Sequence, residues 1–287
     1  LQKKDLPKRI QKKTTLFFIV IMIVAAFLRL YRFEMFLEFL DDQGRDALII
    51  KKMLIDHTPT LLGPGTSVGK MYLGPLYYYV MVPFLAMTYP EPTGSAYAMA
   101  VFGILTVALL YIWGRKFIGE RGALIASALY ATAPVVIQLS RFSWQPNPAP
   151  LIALIMMWCS YKAIHEKKHW WWVVVAICFV VLSQLHYVAL LAGLPSGILL
   201  MYDMWRSRLK KGMIFQWMLV CLSSLVIFIA SIVPLVLFDM RHNHLIVKGF
   251  QEFVQDQRRP SPLSTRLWTA FTETHGRSMF VTAEVYG

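Results

Sequence analysis

The chain is 287 residues long, 57% hydrophobic and only 16% charged, with a formal net charge of +13. A soluble domain is nearer half apolar and a quarter charged, so this composition excludes an ordinary soluble fold. The positive charge does not point to nucleic acid either, because the basic residues sit in short clusters between long apolar runs, a bilayer-topology pattern.

Residues 1–15 form a basic start (Lys3, Lys4, Lys8, Arg9, Lys12, Lys13), expected in the cytoplasm. The apolar stretch 16–33 is long enough to span a bilayer. No small-x-small cleavage site leads into a polar mature start, so it reads as an anchor and not as a cleaved signal peptide. Six further spans are expected at 96–114, 123–140, 149–164, 170–185, 187–204 and 214–238. Trp170, Trp171 and Trp172 suit an interfacial aromatic belt at the start of one of them. The three cysteines, Cys159, Cys178 and Cys221, all lie inside apolar runs and read as small buried hydrophobes.

The stretch 71–89 is also apolar, but it carries Gly74, Pro75, Pro83 and the tyrosines 77–79. Counted as a crossing, it puts the basic clusters at 115–121 and 166–168 outside; counted as a juxtamembrane or re-entrant element, it puts every basic cluster inside. The positive-inside rule favours the second count. The expected architecture is therefore an all-α polytopic membrane protein of about seven transmembrane helices, the membrane domain covering 16–238. Outside lie a long loop 34–95 with juxtamembrane helices, a turn around 183–187, a short loop 141–148, and a segment from Asp239 onward. The chain opens at Leu1 and stops in a polar stretch at Gly287, which reads as part of a longer protein.

The first outer loop is too long to be a mere connector. It opens with Asp41, Asp42, Gln43, Gly44, Arg45 and Asp46, and residues 44–56 read as a helix on the bilayer surface. Ala47, Ile50 and Leu54 share its apolar stripe, opposite Arg45, Lys52 and Asp56. A turn-rich stretch follows (Pro59, Gly63, Pro64, Gly65, Gly69) and ends at Lys70, Met71 and Tyr72.

Acidic residues directly after the first span, a juxtamembrane helix, then Gly69-Lys70 and Pro75-Leu76-Tyr77-Tyr78 resemble the C-superfamily glycosyltransferases. Within that superfamily the pattern is most similar to the protein O-mannosyltransferases and the bacterial aminoarabinose transferases of lipid A. Gly114-Arg115-Lys116-Phe117-Ile118-Gly119 resembles the cytoplasmic turn of those enzymes, and Ser140 to Pro148 resembles their second outer loop. The resemblance implies transfer of a sugar from a polyprenyl-phosphate donor to a lipid, glycan or protein hydroxyl on the outer face of the cell inner membrane. It places Asp42 on the general base, Arg45 on a site arginine, Lys70 on a phosphate-binding lysine and Arg141 on a second-loop arginine. Gln43 stands where the family has a glutamate, and Gln145 or Asn147 where it has a second acid. These departures remove carboxylates, and with them any expectation of a metal; no cofactor is implied.

The chemistry agrees with this reading. Glycosyl transfer from a lipid phosphate needs a base for the acceptor hydroxyl and cations where charge gathers on the departing phosphate. Phosphate leaves as an anion, so one carboxylate suffices and inversion is expected. Tyr72 and the tyrosines 77–79 can stack on sugar or line a polyprenyl groove. His186, polar within an apolar stretch, is a further substrate-binding candidate. Asp41 reads as solvated, and Asp46 as a local partner of Arg45 or Lys70 or a helix cap. Two competing functions are a transporter or flippase of lipid-linked substrates, and a non-catalytic partner subunit. The first would place ionisable residues at mid-membrane and show internal repeats, neither of which stands out here; Gln43 keeps the second open.

Overall fold

The computed structural model describes residues 8–66, 71–207 and 213–257. They form eleven helices and, apart from an isolated bridge between Gly65 and Tyr72, no strand. The protein is an all-α polytopic membrane protein.

Helix α1 (Lys8–Leu30) ends three residues before the expected 33, where Arg32 adopts a left-handed conformation ahead of a short 3₁₀ turn, Phe33–Phe36. Helix α2 (Asp41–Ile55) starts three residues earlier than the hydrophobic pattern suggests, which puts Asp41 and Asp42 in its first turn. Helix α3 (Leu76–Thr88) has 13 residues, about 20 Å of rise against a hydrocarbon thickness of about 30 Å. It packs against α2 and its own successor, α4 (Gly94–Phe117).

Among the described residues, four segments are long and apolar enough to span a membrane: Lys13–Leu30, Gly94–Phe117, Tyr187–Ser207 and Met213–Arg241. The other expected crossings take different forms. The stretch 123–140 is broken at Ala133 into α5 (Gly119–Thr132) and α6 (Pro134–Leu139). Helices α7 (Ala149–Glu166) and α8 (Trp171–Leu185) have 18 and 15 residues. Helix α9 (Gly193–Ser207) is preceded by a 3₁₀ turn over Tyr187–Ala192. Helix α10 (Met213–Arg241) runs three residues past the expected end, and Asp239 Oδ1 accepts Ile246 N at 2.7 Å to cap α11 (Leu245–Gln257).

The break in α5–α6 has a cause in Pro134, which has no N–H for the carbonyl four residues back, Tyr130. Arg29, fully buried near the end of α1, takes over. Its Nη2 donates to Tyr130 O at 3.3 Å, Nη1 to Ala131 O at 3.0 Å and Ala25 O at 3.2 Å, and Nε to Ser140 Oγ at 3.3 Å. Gly103 makes room for it, since a Cβ there would lie 2.9 Å from Arg29 Nε.

Contacts define two ends of the bundle. At one, Thr14 Oγ1 donates to Glu120 Oε2 at 2.9 Å, and Lys116 lies 5.0 Å from the centre of the Tyr161 ring. The α4–α5 and α7–α8 turns with their basic residues therefore share the end of the α1 start. At the other end lie the close of α1, the whole of α2, the start of α3 and the loop 140–148.

Candidate functional site

The site is assembled at this second end around α2. The side chain of Gln43 returns to cap the helix, its Oε1 accepting Leu40 N at 3.0 Å, while its Nε2 donates to Ser143 O at 3.1 Å in the loop 140–148. Ser143 Oγ is hydrogen-bonded to Tyr77 OH of α3. Gln43 therefore stitches three segments together, and the task needs an amide: a carboxylate could accept from Leu40 but could not donate to Ser143.

One turn further, Asp46 is buried, and its Oδ1 collects three donors: Tyr78 OH at 2.8 Å, Arg45 Nη2 at 2.9 Å and Arg45 Nε at 3.1 Å. Burial raises the Asp46 carboxyl above the usual carboxylate range, against the pull of the Tyr78 and Arg45 hydrogen bonds. Burial, then the Asp46 charge, raises the Tyr78 phenol as well, so it stays a donor. Burial opposes the charge on Arg45, but the hydrogen bond and charge of Asp46 outweigh it and hold the guanidinium protonated. The buried residues of α2 are thus Gln43, Asp46 and Ile50, and of the expected Ala47, Ile50 and Leu54 stripe Ile50 and Leu54 pack into the core with α3.

Asp42 sits on the open side of this cluster. Its carboxylate is 58% exposed and its Oδ1 accepts Arg45 Nη1 at 2.7 Å. Arg45 therefore bridges an exposed and a buried carboxylate, and among the described residues the second Asp42 oxygen, Oδ2, accepts no hydrogen bond. The helix N-terminus favours negative charge at both Asp41 and Asp42.

Of the other residues expected here, Lys70 lies outside the described residues. Tyr72 is partly exposed and pairs with Gly65 across the short bridge. Gly63 N donates to Leu73 O at 2.9 Å, an approach so close that a Cβ on Gly63 would fall 2.0 Å from Gly74 O. Arg141 is committed to the end of α1, its Nε donating to Leu28 O at 3.1 Å and its Nη2 to Tyr31 O at 3.3 Å, with the guanidinium 4.9 Å from the Phe36 ring centre. Asn147 holds the same loop by donating to Leu139 O and Phe142 O. Gln145 is buried, and its Oε1 has no partner among the described residues. His186 accepts Val188 N at 3.2 Å and stacks on Tyr187. Asp42 and Arg45 are brought together; Tyr72, Arg141 and His186 share their end of the bundle but not their hydrogen bonds.

Gln184, two residues before His186, was not singled out by the sequence. Its Oε1 accepts Leu76 N at 3.2 Å and caps α3, and a Cβ on Gly74 would lie 2.2 Å from it. The described residues hold no group of three His, Cys, Asp or Glu side chains that could bind a metal.

A comparison with known families matches residues 73–233, more than half of the chain, to the dolichyl-phosphate-mannose-protein mannosyltransferases. Arg141 and His186 fall inside the matched segment; Asp42, Arg45, Lys70 and Tyr72 precede it. No curated protein and no solved structure matches the chain.

Proposed function

Because the chain belongs to the dolichyl-phosphate-mannose-protein mannosyltransferase family, whose members are membrane glycosyltransferases that use polyprenyl-phosphate sugar donors, we propose that it transfers the sugar to an acceptor hydroxyl at the membrane surface with Asp42 as general base. The observation that carries this reading is the asymmetry of the two aspartates on Arg45. Asp46 is buried and its Oδ1 is fully engaged, whereas Asp42 is exposed and has an oxygen to spare. Of the two carboxylates on Arg45, Asp42 is the one that can meet an incoming hydroxyl.

In the proposed reaction Asp42 takes the acceptor proton as the hydroxyl oxygen attacks the anomeric carbon. The carbon–oxygen bond to phosphate breaks on the opposite face, and the polyprenyl phosphate leaves with the electron pair as an anion. One displacement inverts the anomeric centre, and no acid is needed for so stable a leaving group. Arg45, kept protonated by Asp46, and Lys70 supply positive charge for the phosphate. Arg141, His186 and Tyr72 border the site, and Arg141 acts by fixing the end of α1. The membrane domain covers 16–238 with seven crossings and an outer catalytic loop 34–95. The N-terminus and the basic clusters lie in the cytoplasm, and the catalytic end faces outward from the inner membrane.

The test is donor dependence and stereochemistry in proteoliposomes. The reading requires turnover with a polyprenyl-phosphate sugar, none with the corresponding nucleotide sugar, and a product of inverted anomeric configuration. A retained configuration, or transport of the lipid-linked sugar without transfer, would remove it.

A further inference from the structure

At the opposite end of the bundle, among the basic turns, His169 is 95% buried, since only 5% of it is exposed, and among the described residues neither ring nitrogen has a hydrogen-bond partner. Buried polar atoms are almost always paired, so an imidazole with no hydrogen bond to the described residues is a candidate to bind a ligand. Asp203 Oδ2, which accepts Trp172 Nε1 at 2.9 Å, lies 3.3 Å from Nδ1, within ion-pair distance of a protonated ring but not in hydrogen-bond geometry. His169 opens on a cavity of about 190 Å³ that is also lined by Lys167, Asp203, Arg206, Ser207 and Gln216, so two cations outnumber one carboxylate there. Lys167 and Arg206 are exposed to solvent and bring two positive charges to it.

Directly beneath lies a second, apolar space of about 610 Å³ between α7, α8, α9 and α10. Two tryptophans separate the two. Trp172 and Trp217 line the apolar groove with their rings, while their Nε1 groups donate to Asp203 and Ser207 on the polar side; the Trp217 ring also lies tilted against His169, centroids 4.5 Å apart. The groove opens laterally between Leu194, Ile198 and Met201 of α9, all strongly exposed on a face that meets lipid.

A cationic pocket with an unpaired imidazole, standing on an apolar groove open to the bilayer, matches an amphiphile with an anionic head. We propose that this end of the protein binds one anionic phospholipid of the adjoining leaflet, its headgroup phosphate held by His169, Lys167 and Arg206 and one acyl chain lying in the groove. Basic pockets between helices recognise lipid headgroups in this way, and the fit is to a bilayer lipid because the site lies at the opposite end from the proposed transfer site. The proposal does not depend on Asp42 or on any catalytic assignment.

The experiment is native mass spectrometry of the delipidated protein, titrated in detergent with phosphatidylglycerol, phosphatidylcholine, polyprenyl phosphate and inorganic phosphate. Wild-type protein is expected to hold one phosphatidylglycerol at least 10-fold more tightly than phosphatidylcholine. Arg206→Gln and His169→Phe, the latter keeping a ring against Trp217, should each weaken it 10-fold or more. Gly197→Phe is the control for folding, because Gly197 lines the groove, a Cβ there meets nothing within 4 Å, and the ring fills the chain's place without touching the polar pocket. It should abolish lipid retention and leave the melting temperature in detergent unchanged or higher. Unaltered binding in all three variants, tighter binding of polyprenyl phosphate than of phosphatidylglycerol, or equal occupancy by inorganic phosphate alone would each overturn the proposal. So would the absence of any retained lipid, which would mean that protein covers the groove.

Discussion

Replacing Arg29 with methionine tests whether the α5–α6 break depends on its substitute donor. Four hydrogen bonds disappear. At about 0.6 kcal/mol for each polar contact between membrane helices, the loss is about 2 kcal/mol. Leaving the carbonyls of Tyr130 and Ala131 unpaired, at about 1–3 kcal/mol each, would raise it to about 2–6 kcal/mol. Methionine removes the cost of burying a guanidinium, which offsets part of this, so the expected loss is about 2–3 kcal/mol. The diagnostic step is the double variant. Pro134→Ala restores an N–H that can reach Tyr130 O once the guanidinium has gone, so it should return about 1 kcal/mol or more to Arg29→Met while doing little in the wild type. Unfolding in mixed micelles, followed by circular dichroism, measures both. If Arg29→Met costs under about 0.5 kcal/mol, or if the two changes are additive, Arg29 is not substituting for the missing amide.

Three other outcomes follow from the α2 and α3 contacts. Gln43→Glu sets a carboxylate against the Ser143 carbonyl, and should lower stability by about 1–3 kcal/mol and reduce transfer; higher activity would contradict the structural reading. Gly74→Ala drives a methyl into Gln184 and should uncap α3, costing about 0.5–2 kcal/mol, but much less when Gln184→Ala is already present; equal costs in both backgrounds would refute the contact. Because Asp46 has a raised folded pKa, its contribution to stability is full below the unfolded value of about 3.9 and is lost as pH rises through the folded pKa. Asp46→Asn should therefore flatten the dependence of thermal stability on pH above about pH 4, and an unchanged profile would contradict the burial of that carboxyl.

Helix placement was legible because bilayer-length apolar runs are strong signals, and 71–89, set apart by its glycine, prolines and tyrosines, forms a 13-residue α3. The break at Pro134 was also written in the chain, as a proline inside a presumed span, although its partner Arg29 was hidden among apolar neighbours. The site was legible in part. Asp42 and Arg45 stand i and i+3 on one helix, so their pairing follows from local geometry. The anchoring of Asp46 by Tyr78 and of Gln43 by Ser143 joins residues 32 and 100 positions apart. No periodicity reveals which face of α2 meets which tyrosine of α3, and an expected apolar stripe drew attention away from the polar face that is buried. His169 and Asp203 belong to two helical turns whose proximity exists only in the folded bundle.

In the proposed reaction Asp42, and neither of its neighbours, removes the acceptor proton. The most direct measurement is single-turnover transfer, alongside equilibrium donor binding, for Asp42→Asn, Asp41→Asn and Asp46→Asn in reconstituted protein with a polyprenyl-phosphate sugar. A well-placed base is worth about 10²–10⁴-fold in rate, so Asp42→Asn should lose that much in the chemical step while donor affinity stays within about threefold, because the base acts only in the transition state. Asp41→Asn should remain near wild type, and Asp46→Asn should weaken donor binding and turnover together through the loosened Arg45. Normal transfer by Asp42→Asn, or a loss at Asp41 in its place, would contradict the assignment.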